Sequence, residues 1–362
     1  MYSSELHDHG LVAGLSRPDL LEIYHSLALT RSCESRLEIL SREGLVLGET
    51  YRSFGQEAGA VAAVSVLRRR DDGTGDLMAP TRRGWGAMLM MGADPVDFFR
   101  QYLERATGPT GGRDGGLHWG DLKLGFLGPV SPLGVMVQVM AGICLSFQVR
   151  GEDRAGLAFC GDPETATGAC HEGLAFAATQ RCPLVLLVEA NFAVPPPAHP
   201  RAHTRVESFT EKAAGYGLHA TSVDGTDVLA VVEGTRGAVA RARAGEGVGM
   251  VELRYLREPD PSPVEDLTSD PQKKVGGLVG DDPLLRYRDR LLHEGWASEE
   301  ALDGLDTRAQ EEAERAAKQA LRESLSEGRM AVDGVYSGMT ANPPWTRRTD
   351  PSSRLGREVV SI

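Results

Sequence analysis

The chain has 362 residues, of which 41% are hydrophobic and 25% are charged, a composition that is ordinary for a globular protein. Its formal net charge of −12 argues against a nucleic-acid surface, because phosphate binding depends on clustered Lys and Arg. No apolar stretch approaches the ~20 residues needed to span a bilayer, so the sequence predicts no membrane segment. The length allows one large α/β domain or two small ones.

The cysteines lack the spacing that is typical of metal or redox sites. Most of them lie in apolar surroundings, which predicts small buried hydrophobic side chains. Their odd number, without a signal-peptide pattern, predicts the reducing cytoplasm. They are Cys33, Cys144, Cys160, Cys170 and Cys182.

The first part of the chain is predicted to be helical, because apolar positions recur three and four residues apart in 18–40 and 55–70. A glycine-rich segment at 107–134 follows. So many glycines predict backbone that turns sharply or approaches something closely. Residues 135–149 form a candidate buried helix.

From residue 155 onwards, short apolar strands alternate with helical segments, starting with the strands at 155–161 and 182–191. This alternation predicts an α/β fold with a parallel sheet that helices cover on both faces. A charged helical extension is expected beyond 281. We expect an N-terminal arm at 1–17, one domain at 18–328, and a tail at 329–362 that is extended or disordered.

Polar residues close two consecutive predicted strands: Gly161–Asp162 and Asn191. In an open parallel sheet, ligands bind beyond the carboxyl ends of the strands. A carboxylate, an amide oxygen and a nearby carbonyl are hard oxygen ligands that suit Mg²⁺. A helix that begins near Glu164 would favour a diphosphate there. On this pattern alone, an N-cap role for Asp162 and a turn role for Asn191 remain an open alternative.

A series of further motifs follows the same order as in a known family. The chain resembles the α subunit of the thiamine-diphosphate-dependent decarboxylase component of 2-oxo acid dehydrogenases of the pyruvate, branched-chain and acetoin types. The similarity covers roughly residues 18–325. The motifs are GQEA at 55–58, GGRDGGLH at 111–118, GD at 161–162, HE at 171–172, EKAAGYG at 211–217, VDGTDVL at 223–229, RARAGEG at 241–247 and VELRYLR at 251–257.

The resemblance implies a thiamine-diphosphate-binding fold with Mg²⁺ between the protein and the diphosphate. It assigns the metal to the side chains of Asp162 and Asn191 and to the Ala193 carbonyl. For Arg83 and Arg257 the alternative is a surface position. Residues implied in cofactor binding are Arg83, Gly134, Met136, Gly161, Asp162, Pro163, Glu164, Asn191 and Arg257.

The same resemblance implies decarboxylation of a 2-oxo acid, or cleavage of a ketose, with transfer of the acyl or ketol unit to an acceptor such as a lipoyl or acyl-carrier protein. In two-chain members the catalytic glutamate belongs to the β subunit, so Glu57 is not that residue. We therefore expect a β-type partner in a heterotetramer. For His118 the sequence favours a hydrogen-bonding role over catalysis.

The chain departs from the family pattern at four positions. Pro163 replaces a glycine and has no N–H to donate to phosphate. Histidines of the family are replaced by Tyr51, Trp85 and Pro261, which removes groups that titrate near neutrality. Tyr51 is a candidate catalytic residue, since it can still donate a hydrogen bond, and His203 is a second candidate.

His199 and His203 both lie in the loop after Asn191, and the alternative for each is an exposed loop histidine. Three hypotheses follow for the chain as a whole. The first is a specialised α subunit with a changed acceptor. The second is a non-catalytic scaffold for a β-like chain, and the third is an ordinary dehydrogenase α subunit.

Overall fold

The computed structural model describes residues 14–46, 48, 50–191, 203–255 and 282–332. The strands are β1 (Leu77–Ala79), β2 (Gly156–Gly161), β3 (Leu184–Asn191), β4 (His219–Asp224) and β5 (Gly249–Tyr255). The helices are α1 (Arg17–Arg42), α2 (Glu57–Ser65), α3 (Trp85–Met90), α4 (Pro95–Tyr102), α5 (Val135–Val149), α6 (Gly168–Gln180), α7 (Phe209–Gly215), α8 (Val228–Arg243), α9 (Pro283–His293) and α10 (Glu299–Leu321). Short 3₁₀ segments include Asp162–Ala166 and Gly328–Val332.

The described strands form one parallel sheet in the order β1-β2-β3-β5-β4. The prediction of a parallel sheet is therefore confirmed. In β2 and β3, which are hydrogen-bonded neighbours, Gly161 pairs with Glu189. Because parallel strands end at the same edge, this register brings Asp162 next to Asn191, as the sequence predicted.

Helices cover both faces of the sheet, because successive strand residues point to opposite sides. Leu157 and Phe159 belong to the core that includes residues of α1, α2, α8 and α10. Ala158 and Cys160 belong to a second core, which includes residues of α5, α6 and α7. The predicted two-sided α/β architecture is confirmed. All five cysteines are buried with free thiols, as expected of small apolar side chains.

Two details differ from the expectation. The strand β1 was not predicted, since three residues are too few to show an alternating pattern. The helix expected to begin near Glu164 begins instead at Gly168. Thr167 has an extended backbone there, and its hydroxyl accepts a hydrogen bond from the Cys170 amide at 3.2 Å. This N-cap starts α6 one turn later than the apolar pattern indicates.

The charged region beyond 281 folds as α9 and α10, which confirms the predicted helical extension. Both helices contribute to the core that contains α1. At this contact the Tyr24 hydroxyl donates to the Asp306 carboxylate at 3.0 Å. Within the described ranges, no helix combines the length and the apolar character that crossing a bilayer requires.

Candidate functional site

A cavity of about 380 Å³ opens at the carboxyl edge of the sheet. Gln56, just before α2, and four further parts of the chain line it, and each of these four ends, follows or leads into a helix or strand. They are residues 80–83 after β1, residues of the segment 129–136 that leads into α5, the end of β2 with the residues after it, and the end of β3. Of the predicted cofactor residues, Arg83, Met136, Gly161, Asp162, Pro163, Glu164 and Asn191 line this cavity.

Asp162 is one of the buried carboxyl groups of the cavity. Its side chain is only 8% exposed, and burial raises its pKa to about 6, against the lowering effect of nearby donors. One of these donors is the backbone N–H of Asn191, which links the ends of β2 and β3. The Oδ2 atom is buried and has no hydrogen-bond partner among the residues that the structure describes. A buried oxygen in this state calls for a cation or a proton.

A second buried carboxyl group, Glu189, lies beside Asp162 and was not singled out as a site residue from the sequence. The Thr81 hydroxyl donates to it at 2.9 Å. Burial raises the pKa of Glu189 to about 7, while Thr81 and Arg83 act in the opposite direction. The sequence signal that could have identified Glu189 is a charged residue near the end of a strand whose other residues, apart from Asn191, are apolar.

Two consecutive arginines follow β1, and both line the cavity. The sequence singled out Arg83, whose positive charge lowers the pKa of Asp162 and of Glu189. Arg82 was missed. Its guanidinium group lies 4.4 Å from the centre of the Tyr51 ring and donates to the Tyr51 hydroxyl at 3.0 Å. These cations bring positive charge to a cavity that otherwise holds carboxylates.

Glu164 connects two predicted cofactor segments. Its Oε1 atom accepts a hydrogen bond from the Gly161 amide at 3.1 Å, and its Oε2 atom accepts one from the Gly134 amide at 2.9 Å. Gly134 begins α5 in a left-handed conformation, with φ of +79°. A Cβ atom there would lie 2.2 Å from the Thr167 hydroxyl, so glycine is required at this close approach.

The candidate catalytic residues lie outside the wall of this cavity. Tyr51 contacts two arginines of the wall, Arg82 and Arg83, without lining the cavity itself, and His203 is exposed. Neither position tests the proposed catalytic role, which stays a prediction. His118 lies 3.0 Å from the Asp114 carboxylate through Nδ1, a contact that suits the hydrogen-bonding role.

Trp85, at a family histidine position, is fully buried and stacks on Phe98 with ring centroids 4.5 Å apart. This position therefore belongs to the core. The predictions for Ala193, Arg257, Pro261 and His199 lie outside the described residues.

The Asp162 and Asn191 side chains supply some, but not all, of the ligands that a divalent cation needs. In the described part of the chain, no three His, Cys, Asp or Glu side chains are grouped so that they could hold a metal ion. The Asp162 carboxylate with the Asn191 amide offers a partial set of oxygen ligands, which a cation would complete with phosphate and water. The unpartnered Oδ2 atom of Asp162 is the observation that favours such a cation.

Comparison with known proteins identifies a matching family and several related α subunits. Residues 25–327 match the family described as "Dehydrogenase E1 component". The chain is 32% identical to the α subunit of acetoin:2,6-dichlorophenolindophenol oxidoreductase from Cupriavidus necator over 243 residues, which cover 67% of this chain and 71% of that protein. It is 29% identical to the α subunit of 2-oxoisovalerate dehydrogenase from Bacillus subtilis over 79% of this chain and 86% of that protein.

The pyruvate dehydrogenase E1 component subunit α from Rhizobium meliloti is 28% identical over 82% of this chain and 84% of that protein. These similarities span the sheet, the cavity and the helices around them. The chain therefore belongs to the dehydrogenase E1 component family, as a divergent member of the α-subunit type.

Proposed function

We propose that this chain is the α-type subunit of a two-component enzyme that decarboxylates a 2-oxo acid, or cleaves a ketose, and transfers the acyl or ketol unit to an acceptor. Membership of the family implies thiamine diphosphate as the cofactor. The observation that carries the proposal is the buried, unpartnered Oδ2 atom of Asp162 beside Asn191, where two neighbouring parallel strands end. This is the place where an open α/β sheet binds ligands.

In this proposal, Asp162 and Asn191 hold Mg²⁺, and the Ala193 carbonyl completes the protein's share of its ligands. Arg83 and Arg82 place positive charge near the diphosphate, and Met136 with Phe159 provides apolar surface in the same cavity. When bound, thiamine diphosphate supplies the group that adds to the substrate carbonyl. The residues of this chain bind and orient it and shield it from water. Gly134, Gly161 and Arg257 keep the cofactor-binding roles that the resemblance implies.

A β-type partner is part of the proposal, because the relatives are named as α subunits. Glu57 supports this division of roles. It is 1% exposed, forms an ion pair with Arg31 and does not line the cavity. We propose a heterotetramer in the cytoplasm, where the five free thiols would stay reduced. The acceptor would be a lipoyl or acyl-carrier protein.

Specific observations also favour the second candidate, a scaffold without catalysis. Pro163 cannot donate to phosphate, and the Glu164 carboxylate already holds two backbone amides at the cavity. Trp85 packs in the core instead of presenting an imidazole group. The third candidate, an ordinary pyruvate or branched-chain dehydrogenase α subunit, has to function without these groups.

The test begins with the tagged chain purified from its native cells, with the co-eluting protein identified by sequencing. We expect a β-type 2-oxo acid dehydrogenase chain. The complex is then titrated with thiamine diphosphate in a calorimeter, with and without Mg²⁺. Saturable binding that requires Mg²⁺ supports the proposal, and absence of binding at millimolar cofactor favours the scaffold. Turnover of 2-oxo acids with an artificial electron acceptor, at rates of an ordinary dehydrogenase, would favour the third candidate.

A further inference from the structure

Glu164 lines the cavity, and the family resemblance implies it in cofactor binding, but the proposed chemistry gives its carboxylate no role. Both of its oxygens accept hydrogen bonds from backbone amides, one from Gly161 and the other from Gly134. Gly161 ends β2, and Gly134 begins the 15-residue helix α5. The side chain therefore connects two segments that the family resemblance implies in cofactor binding.

Backbone amides at a helix start are donors that favour anions, since several N–H groups there have no partner within the helix. The Glu164 carboxylate accepts from one such donor, the Gly134 amide before α5, and from the Gly161 amide at the end of β2, within a cavity that is proposed to receive a diphosphate. Pro163, the neighbouring residue, offers no N–H at all. An incoming diphosphate therefore meets one backbone N–H fewer than it would if position 163 were not proline. The amides of Gly161 and Gly134 already donate to Glu164.

The charge of Glu164 also acts on the rest of the cavity. It contributes to the raised pKa of Asp162 and of Glu189, so its field reaches both of these carboxyl groups. All three line the same cavity, together with two arginines. A diphosphate would bring further negative charge into this cavity, and like charges repel more strongly where little water screens them.

Building on the proposed function, we propose that Glu164 is an internal anion of the cofactor cavity, which competes with an incoming diphosphate and lowers its affinity for this chain. Binding then requires the Glu164 side chain to leave the two amides or a cation to offset its charge. Glu164 thereby sets how tightly the subunit holds its cofactor.

The test uses the purified complex of the full chain with its β-type partner and calorimetric titration in the presence of Mg²⁺. Two probes are titrated separately, thiamine diphosphate and inorganic diphosphate. The variants are Glu164→Gln, which keeps the shape and one acceptor, and Glu164→Ala, which carries the test if the Gln variant folds poorly. The matched control is Glu172→Gln, which removes an equal charge from the exposed face of α6.

We expect both Glu164 variants to bind inorganic diphosphate roughly tenfold more tightly than the wild type, and the control to bind as the wild type does. The affinities for thiamine diphosphate should rank the variants, the control and the wild type in the same order. Unchanged or weaker binding of inorganic diphosphate by the variants overturns the inference, and weaker binding would identify Glu164 as a clamp. If the variants gain affinity for inorganic diphosphate while no protein binds thiamine diphosphate, the inference stands and the proposed function fails. If neither probe binds to any variant, both proposals fail.

Discussion

The Thr81 hydroxyl donates a hydrogen bond to the Glu189 carboxyl group at 2.9 Å and so joins the segment after β1 to the end of β3. The two strands lie on either side of β2, the strand that Asp162 directly follows. Glu189 is 8% exposed, and its environment contains Asp162, Glu164 and Arg83 besides Thr81. The hydrogen bond from Thr81 therefore fixes the Glu189 carboxyl group, which can take up a proton, in the wall of the candidate site.

Stability of the cofactor-free chain should fall as the pH rises from about 4.5 to about 7. Burial raises the pKa of Glu189 from 4.5 to about 7, so the folded chain retains a proton that the unfolded chain has already lost. Folding stability decreases with pH wherever the folded state binds more protons. Asp162, with a pKa raised to about 6, acts in the same direction at lower pH.

Glu189→Gln should remove the Glu189 part of this decline, which is on the order of 3 kcal/mol. The measurement is the free energy of unfolding in urea at several pH values. Glu233→Gln, on the exposed side of α8, serves as the control and should leave the pH profile of the wild type intact. A Glu189→Gln profile that parallels the wild type would show that Glu189 does not cause the decline.

Asp162→Asn should weaken Mg²⁺-dependent binding of thiamine diphosphate by roughly a hundredfold or more, because it removes the only negative charge among the protein ligands proposed for the cation. The cofactor-free variant should be as stable as the wild type or more so, since a buried carboxylate oxygen without a partner is costly. Calorimetry measures the first effect and thermal unfolding the second. Asp71→Asn, on an exposed loop, controls for the lost charge. Affinity that survives the Asp162 change would refute the assignment of the metal.

Gly134→Ala should destabilise the chain by about 2–4 kcal/mol, because its Cβ atom would overlap Thr167 and the backbone has a positive φ. Gly142→Ala, on the exposed face of the same helix, provides the matched comparison. No atom lies within 4 Å of a Cβ atom at Gly142. This change should stabilise α5 by about 0.5–1 kcal/mol, since alanine loses less backbone entropy than glycine. Equal effects of the two substitutions on the unfolding midpoint would contradict the packing at Gly134.

Restoring a histidine at position 85 should not restore family chemistry. The Trp85 ring is 1% exposed and stacks on Phe98, so Trp85→His leaves a cavity and buries a polar ring. We expect a loss of about 2–4 kcal/mol in the free energy of unfolding. Trp85→Phe, which keeps an aromatic ring against Phe98, should cost less. A histidine variant that is stable and gains 2-oxo acid turnover would place position 85 in the active site instead.

Patterns of neighbouring residues were enough to predict much of this protein. Apolar periodicity predicted the alternating strands and helices, including the bounds of α5. A helix or strand that buries one face carries its apolar residues at a regular spacing along the chain. The strand-end positions of Asp162 and Asn191 followed from the same reasoning, and the ordered motifs led to the family. The predicted start of α6 was wrong. The Thr167 hydroxyl accepts a hydrogen bond from a backbone amide and so caps the helix at that point, and hydrophobic periodicity carries no information about such a cap.

The sequence by itself thus determined the parallel α/β architecture, the family and the strand ends at which a ligand would bind. Only the tertiary structure decided which side chains meet there. The contacts of Glu164 with Gly134, of Thr81 with Glu189 and of Arg82 with Tyr51 join residues that are far apart in the chain. Such contacts depend on strand order and helix packing, which bring distant segments together only once the core has formed.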